Sequence, residues 1–149
     1  MNSMEKVITI LARKQPYFNT VSSDTAVNEA LHKMNCENSD YLIVMDNDRF
    51  LGLLSEHDIF SKAMMKKLPL DRMTVRETMS TGFPIVDSEE TVESCLKLMQ
   101  VFKVHYLPVF ENFRFCGVIS SDDILQEAVN NREGIFDEEK DRLIFISDY

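Results

Sequence analysis

The sequence predicts a mixed α/β fold (α+β in its layering) made of two pseudo-symmetric β-α-β-β-α units packed as one module. Three observations carry this reading. First, a tandem repeat runs through the chain: Gly52 matches Gly117, Ser55 matches Ser120 and Asp58 matches Asp123, each pair 65 residues apart. The register extends upstream without a gap, through Val21 and Val86, Ser23 and Ser88, Val27 and Val92, Leu31 and Leu96, Met34 and Met99, and Tyr41 and Tyr106. Second, each copy alternates helical spacing with short continuous apolar runs. Third, one copy of about 50 residues buries little core alone, and two copies are too few for a solenoid, so the copies are expected to pair.

Taken in order, Phe18 to Val21 and Phe83 to Val86 read as a short first strand of each copy. Ser23-Asp24 and Ser88-Glu89 read as helix starts, a capping hydroxyl followed by an acid in the first turn. Val27, Ala30, Leu31 and Met34 then recur at helical spacing, as do Val92, Cys95, Leu96 and Met99. Tyr41 to Met45 and Tyr106 to Phe110 are rich in strand formers. Asp46-Asn47-Asp48 and Glu111-Asn112 carry turn chemistry. Phe50 to Leu54 and Phe113 to Ile119 follow as second strands, and helices follow Ser55 and Ser120. The strands are apolar throughout, which suits a sheet covered by helices. Leu68-Pro69-Leu70 marks the join, because proline disfavours continuing the helix, and Thr74 to Met79 reads as a brief helix beyond it. The expected boundaries are therefore 7–68 for the first unit, 74–131 for the second and 132–149 for a C-terminal tail.

Composition narrows the function. The chain of 149 residues is 44% hydrophobic and 28% charged, ordinary for a globular protein, with a net charge of −9. That charge repels nucleic acid and anionic membranes, and Lys66, Lys67 and Arg72 are too few to make a basic patch. Neither is expected as a partner. No apolar run approaches the ~18 residues of a membrane span. Cys36, Cys95 and Cys116 are scattered, which fits reduced thiols and a cytoplasmic location. They lack metal-ligand spacing, as do His32, His57 and His105, so no zinc site or disulfide is expected. In the tail, Asp137-Glu138-Glu139 reads as solvated, whereas Leu143-Ile144-Phe145-Ile146 is too apolar to stand in water and should dock on this chain or a partner. Met4, Val7, Ile8 and Leu11 show helical spacing and should pack likewise.

Val104-His105-Tyr106-Leu107-Pro108-Val109, followed by Cys116-Gly117-Val118-Ile119-Ser120-Ser121-Asp122-Asp123-Ile124, resembles the end of a CBS domain. That family's pattern is a Leu-Pro-Val strand, then Gly, two aliphatic residues, Ser or Thr, two variable residues, and Asp-aliphatic. Met79-Ser80 resembles the family's opening, and Gly52-Leu53-Leu54-Ser55-Glu56-His57-Asp58-Ile59 supplies the first copy. The first copy departs at Ile43, where the family often has proline. The resemblance covers roughly residues 7 to 131 and implies a non-enzymatic regulatory module. Such a module binds an adenosine-containing ligand (AMP, ADP, ATP or S-adenosylmethionine, with Mg²⁺ as a candidate charge partner) in the cleft between two units, and requires no resident cofactor. It also implies a homodimer. Carried over by position, the resemblance nominates Ser55 with Asp58 and Ser120 with Asp123 for phosphate and ribose, with Phe18, Thr20, Tyr41, His57, Phe83, Ile85, His105, Tyr106 and Pro108 lining the ligand.

Each nomination has a plainer reading. Ser-x-x-Asp before a helical run is also a capping box, which needs no ligand, and the two roles are compatible. Phe18, Tyr41, Phe83 and Tyr106 are equally core aromatics, and His105 is equally a surface histidine. Glu56 and Asp122 sit where phosphate binders often place basic residues, so a polyphosphate is disfavoured unless His57, Lys103, Mg²⁺ or a partner chain meets its charge. Ser55, His57 and Asp58 contain the letters of a catalytic triad, but residues this close on one helical turn cannot present nucleophile, base and acid in line. The alternative function is a structural dimerisation or protein-interaction scaffold with empty or vestigial clefts.

Overall fold

The computed structural model describes residues 5–13 and 19–132, with side chains to Val129. Each repeat folds as a three-stranded sheet with helices. In the first, β1 (Thr20–Val21) pairs parallel with β2 (Tyr41–Asp46), and β2 pairs antiparallel with β3 (Arg49–Ser55). In the second, β4 (Val86–Asp87), β5 (Tyr106–Glu111) and β6 (Arg114–Ser120) repeat that order. The helices of the first repeat are α2 (Val27–Glu37) and α3 (Glu56–Lys66), and those of the second are α5 (Val92–Phe102) and α6 (Ser121–Arg132). A 3₁₀ turn at Leu70–Arg72 and a one-turn helix α4 (Val75–Thr78, capped by Thr74) follow α3, and α1 (Val7–Arg13) precedes everything. The mixed α/β architecture and the strand, helix, strand, strand, helix order are those read from the sequence.

Register follows from turn chemistry. Asn47-Asp48 and Asn112-Phe113 both hold positive φ, at 51° and 64° in each pair. Two consecutive positive φ values make the tight hairpin whose twist matches that of its strands. Asn and Asp tolerate that region, but Phe113 does not, and its conformation costs on the order of 1 kcal/mol. Both hairpins shift register at the same place, between Val44 and Met45 and between Val109 and Phe110.

Two helix starts differ from expectation. Ser23 and Ser88 do not cap. Helix α2 begins at Val27 after Ala26, with no side-chain cap, and α5 begins after Thr91, whose oxygen accepts from the Ser94 N–H at 3.2 Å. The serines instead turn inward at the strand ends, where each is 1% exposed. The first strands are also shorter than expected. Phe83 packs edge-on against Phe50 at 6.3 Å, and Pro84 offers no N–H, so β4 starts at Val86. Phe18 lies outside the described residues, as do Met4 and the tail beyond Arg132.

Two equivalent cores result. Val27, Ala30, Met34, Leu42, Val44, Leu54 and Ile59 form one, and their counterparts Val92, Cys95, Met99, Leu107, Val109, Ile119 and Ile124 form the other. Each core is completed from outside its own repeat. Residues 73–76 lie along the start of α2: Val27 N–H donates to Met73 O at 2.8 Å, Val75 N–H to Thr25 O at 2.9 Å, and Arg76 N–H to Ser23 O at 2.9 Å. Residues 5–8 do the same for the second repeat: Val92 N–H donates to Glu5 O at 2.8 Å, Val7 N–H to Glu90 O at 2.8 Å, and Ile8 N–H to Ser88 O at 3.1 Å. Met73, Val75 and Val7 are fully buried. By contact the chain forms two compact units, each made of one repeat and the strap that completes its core. Val7–Arg13 joins the second repeat, and the stretch up to Phe83 joins the first.

Gly52 marks a close approach in the first unit. Leu53 and Ser80 exchange backbone hydrogen bonds at 3.1 and 2.8 Å, and a Cβ on Gly52 would lie 2.6 Å from the Ser80 carbonyl oxygen. Gly52→Ala must push this segment away and is expected to destabilise the fold by about 2 kcal/mol in a urea titration.

Candidate ligand-contacting junctions

The strand-to-helix junctions β3–α3 and β6–α6 are built alike. Ser55 ends β3 with extended backbone and caps α3. Asp58 N–H donates to Ser55 Oγ at 3.1 Å, and Ser55 N–H donates to Asp58 Oδ2 at 3.1 Å. Ser120 and Asp123 repeat this at 3.0 and 2.9 Å. The next donor in each helix is also used: Glu56 N–H reaches Asp40 O at 3.3 Å, and Ser121 N–H reaches His105 O at 2.9 Å. The capping box is therefore fully formed at both junctions. It occupies one carboxylate oxygen of Asp58 and leaves the other outside the box.

The strand alternation decides which nominated residues gather. Leu42, Val44 and Leu54 point to the helix-covered core, so Tyr41, Ile43, Leu53 and Ser55 share the opposite face of the sheet. Thr20 pairs with Ile43 and joins that face, and Tyr41 stands directly opposite Ser55. In the second unit Tyr106, Pro108, Val118 and Ser120 form the matching face, with Ile85 just before β4. Thr20, Tyr41, Ser55 and Asp58 are half-buried; Ser120 and Pro108 are buried, and Ile85 is exposed. Phe83 lies at the end of the first unit, with its ring against Phe50. His57 and His105 are exposed, and His57 Nε2 lies 3.5 Å from Ser61 Oγ, one helical turn on.

The junctions are acidic. Glu56 and Asp58 lie in the first turn of α3, and Asp122 and Asp123 in that of α6. These carboxylates offset the positive end of each helix, which otherwise attracts an anion. The arrangement suits acceptance of hydroxyl or amine hydrogens better than a bare phosphate. Ser55 Oγ accepts the Asp58 N–H, and His57 Nε2 lies by Ser61 Oγ one helical turn on. Among the described residues, no three His, Cys, Asp or Glu side chains converge on a metal position, and no helix is long and apolar enough to cross a membrane. Cys36 is exposed and Cys95 buried; burial, reinforced by Glu90, pushes the Cys95 thiol up to about 12.

Sequence reasoning missed a polar cluster in the first unit. Ser23 Oγ donates to Asp46 Oδ2, Ser23 N–H donates to Asp46 Oδ1 at 2.9 Å, and Arg76 donates to Ser23 Oγ at 2.8 Å and to Asp46 at 3.4 Å. These residues are up to 53 positions apart, so no local spacing announces them. The Ser23 side-chain and backbone hydrogen bonds, and then the Arg76 charge, hold the Asp46 carboxyl below its ordinary value of 3.8. A depressed carboxyl stabilises the folded state above pH 3.8, and that contribution fades as pH falls through the lower folded value. Asp46→Asn should lower stability at neutral pH, and the gap from the parent should close under acid. Urea midpoints measured across the acid limb check this.

Comparison with known proteins agrees with this geometry. Residues 5–64 and 75–130 each match the CBS domain family. A CBS domain-containing protein of Arabidopsis thaliana is 29% identical over 115 residues, which are 76% of this chain and 21% of that protein. The homoserine O-acetyltransferase of Methanosalsum zhilinae is 28% identical over 115 residues, 76% of this chain and 22% of the enzyme. The chain thus spans about a fifth of the length of these two relatives. A crystal structure of a CBS domain superposes with a TM-score of 0.79 at 28% identity, covering 85% of this chain and 99% of that one. CBS modules are generally regulatory rather than catalytic, and many bind adenosine ligands. Two family matches in register with two folded repeats lead to one conclusion: this chain belongs to the CBS domain family and carries the domain twice, as a pair.

Proposed function

We propose that the chain is a ligand-sensing regulatory module that holds an adenosine-containing ligand against its strand-to-helix junctions. The observation that carries the reading is the junction itself, built twice, with a half-buried Asp beside a sheet face bearing Thr20 and Tyr41 in the first unit and Tyr106 and Pro108 in the second. Asp58 and Asp123 would accept the vicinal ribose hydroxyls, two donors that one carboxylate can satisfy. Ser55 and Ser120 would face the group beyond the ribose. The first-turn acids favour a ligand of little negative charge, such as adenosine or S-adenosylmethionine, or a nucleotide (AMP, ADP or ATP) whose charge Mg²⁺ meets. His57 makes the first junction the better anion site, since the second has Asp122 in its place. Regulation would follow if the ligand binds one conformation more tightly than another.

A thermal-shift panel of these compounds, with and without Mg²⁺, tests the reading. A true ligand at 100 times its dissociation constant stabilises the fold by about 2.7 kcal/mol. Asp58→Asn should then weaken binding by roughly 1–3 kcal/mol in calorimetry, and more for nucleotides than Asp123→Asn does. Stabilisation by no adenosine compound would remove the proposal.

A second reading, assembly as an interaction scaffold, has its own support. Phe60, Met64 and Leu68 lie four residues apart along α3 and just past it, with exposures of 52%, 79% and 41%. A stripe of this kind fits a second copy of the chain. Light scattering should show a homodimer at micromolar concentration, and Met64→Glu should yield monomer with an unchanged circular dichroism spectrum. A monomeric parent would refute this reading.

A further inference from the structure

The two units differ at their hairpin tips. In the first, the tip is Asn47-Asp48 and the neighbouring first strand begins at Thr20. In the second, the equivalent positions are Asn112-Phe113 and Ile85. Phe113 is 102% exposed and Ile85 56% exposed, and Phe113 holds a φ of 64° that its side chain disfavours. Between them lies an open depression of about 460 Å³, lined by Ile85, Val86, Asp87, Phe110, Asn112 and Phe113. An aromatic kept in water, in a conformation that a polar residue adopts more easily, is explained by something that covers it.

The chain itself supplies a candidate cover. Helix α6 follows β6 without a loop and packs back onto it, with Ile124 and Ala128 buried. The helix therefore runs back toward the level where β6 began, beside Arg114 and the hairpin tip. Its 12 residues cover about 18 Å, close to the length of β6. Helix α6 thus ends, at Arg132, at the same end of the unit as the depression. Ten residues separate Arg132 from Leu143, a reach of roughly 33 Å if extended. Leu143-Ile144-Phe145-Ile146 is the most apolar run of that tail, and the mixed, mainly acidic stretch Asp137-Glu138-Glu139-Lys140-Asp141-Arg142 precedes it, so apolar burial is what would hold it in place. The depression offers a mainly apolar lining, with the exposed Asp87 at it.

We propose that Leu143–Ile146 of the same chain docks in the depression between Ile85 and Phe113. The depression is then an intramolecular docking surface for an apolar segment of this chain.

The chain contains no tryptophan, so Phe145→Trp in the full-length protein gives a single reporter. Its emission should be blue-shifted and protected from acrylamide, independently of protein concentration. Adding Phe113→Asp or Ile85→Thr, or mutating both, should red-shift the emission and raise quenching several-fold. These are polar residues of the kind the first unit carries at the same positions, so the fold tolerates them, and an unchanged circular dichroism spectrum verifies this. A solvent-like emission before those changes overturns the proposal, as does protection that ignores both substitutions. Protection lost on dilution overturns it too, because the tail would then sit on a second copy.

Discussion

Each sheet with its pair of helices leaves the N-terminal end of one helix and one edge of its core uncovered, and the segments 5–8 and 73–76 close those gaps. The backbone bonds they make are the same three in each unit, and they carry Val7, or Met73 and Val75, into the core. Everything else rests on this. With the strap in place, α2 and α5 have partners for their first free N–H groups and do not need Ser23 or Ser88 as caps. Those serines are released to turn inward, and the helices settle over Leu42 and Val44, or Leu107 and Val109, so that Tyr41 with Ser55 and Tyr106 with Ser120 are left for the other face of each sheet.

The same scaffold is finished differently in its two copies. In the first, Arg76 from the strap reaches Ser23 and Asp46 and makes a charged clamp. In the second, the strap has Ile8 at that position, the acid is the exposed Glu111, and Ser88 Oγ is buried with no partner among the described residues. The strap is instead tied through Lys6 to Glu89 and through Arg13 to Glu5 and the buried Glu127. The hairpin tips follow the same division, polar in the first copy and apolar in the second.

At the junctions, the residues that cap the helices are also the ones proposed to meet the ligand. A capping Ser and a reciprocal Asp stabilise a helix start by about 1 kcal/mol without any ligand. The same turn places a carboxylate at the rim of a sheet face. The sequence motif therefore located Ser55, Asp58, Ser120 and Asp123 correctly as junction residues without distinguishing the two uses. Thr20, Tyr41, Tyr106 and Pro108 were reachable from strand alternation once the register was known. The contact of the Phe83 ring with Phe50 was not legible, because it is set by tertiary packing.

The sequence by itself determined the repeat, the order of elements, the two hairpins and both helix-capping junctions, because each depends on residues within a few positions of one another. Turn residues set the tips, the alternation of apolar residues set the faces, and the 65-residue register made each copy a check on the other. Only the tertiary structure decided which segment completes which core. Met73 and Val75 lie about 50 residues from the helix start they cover, and Val7 lies 83 residues from Glu90, whose carbonyl its N–H meets. Nothing in a local window encodes such a pairing. It arises because two half-cores with open edges are most stable when each takes the apolar strap that lies within reach, and the repeat boundary in the sequence carries no trace of that exchange.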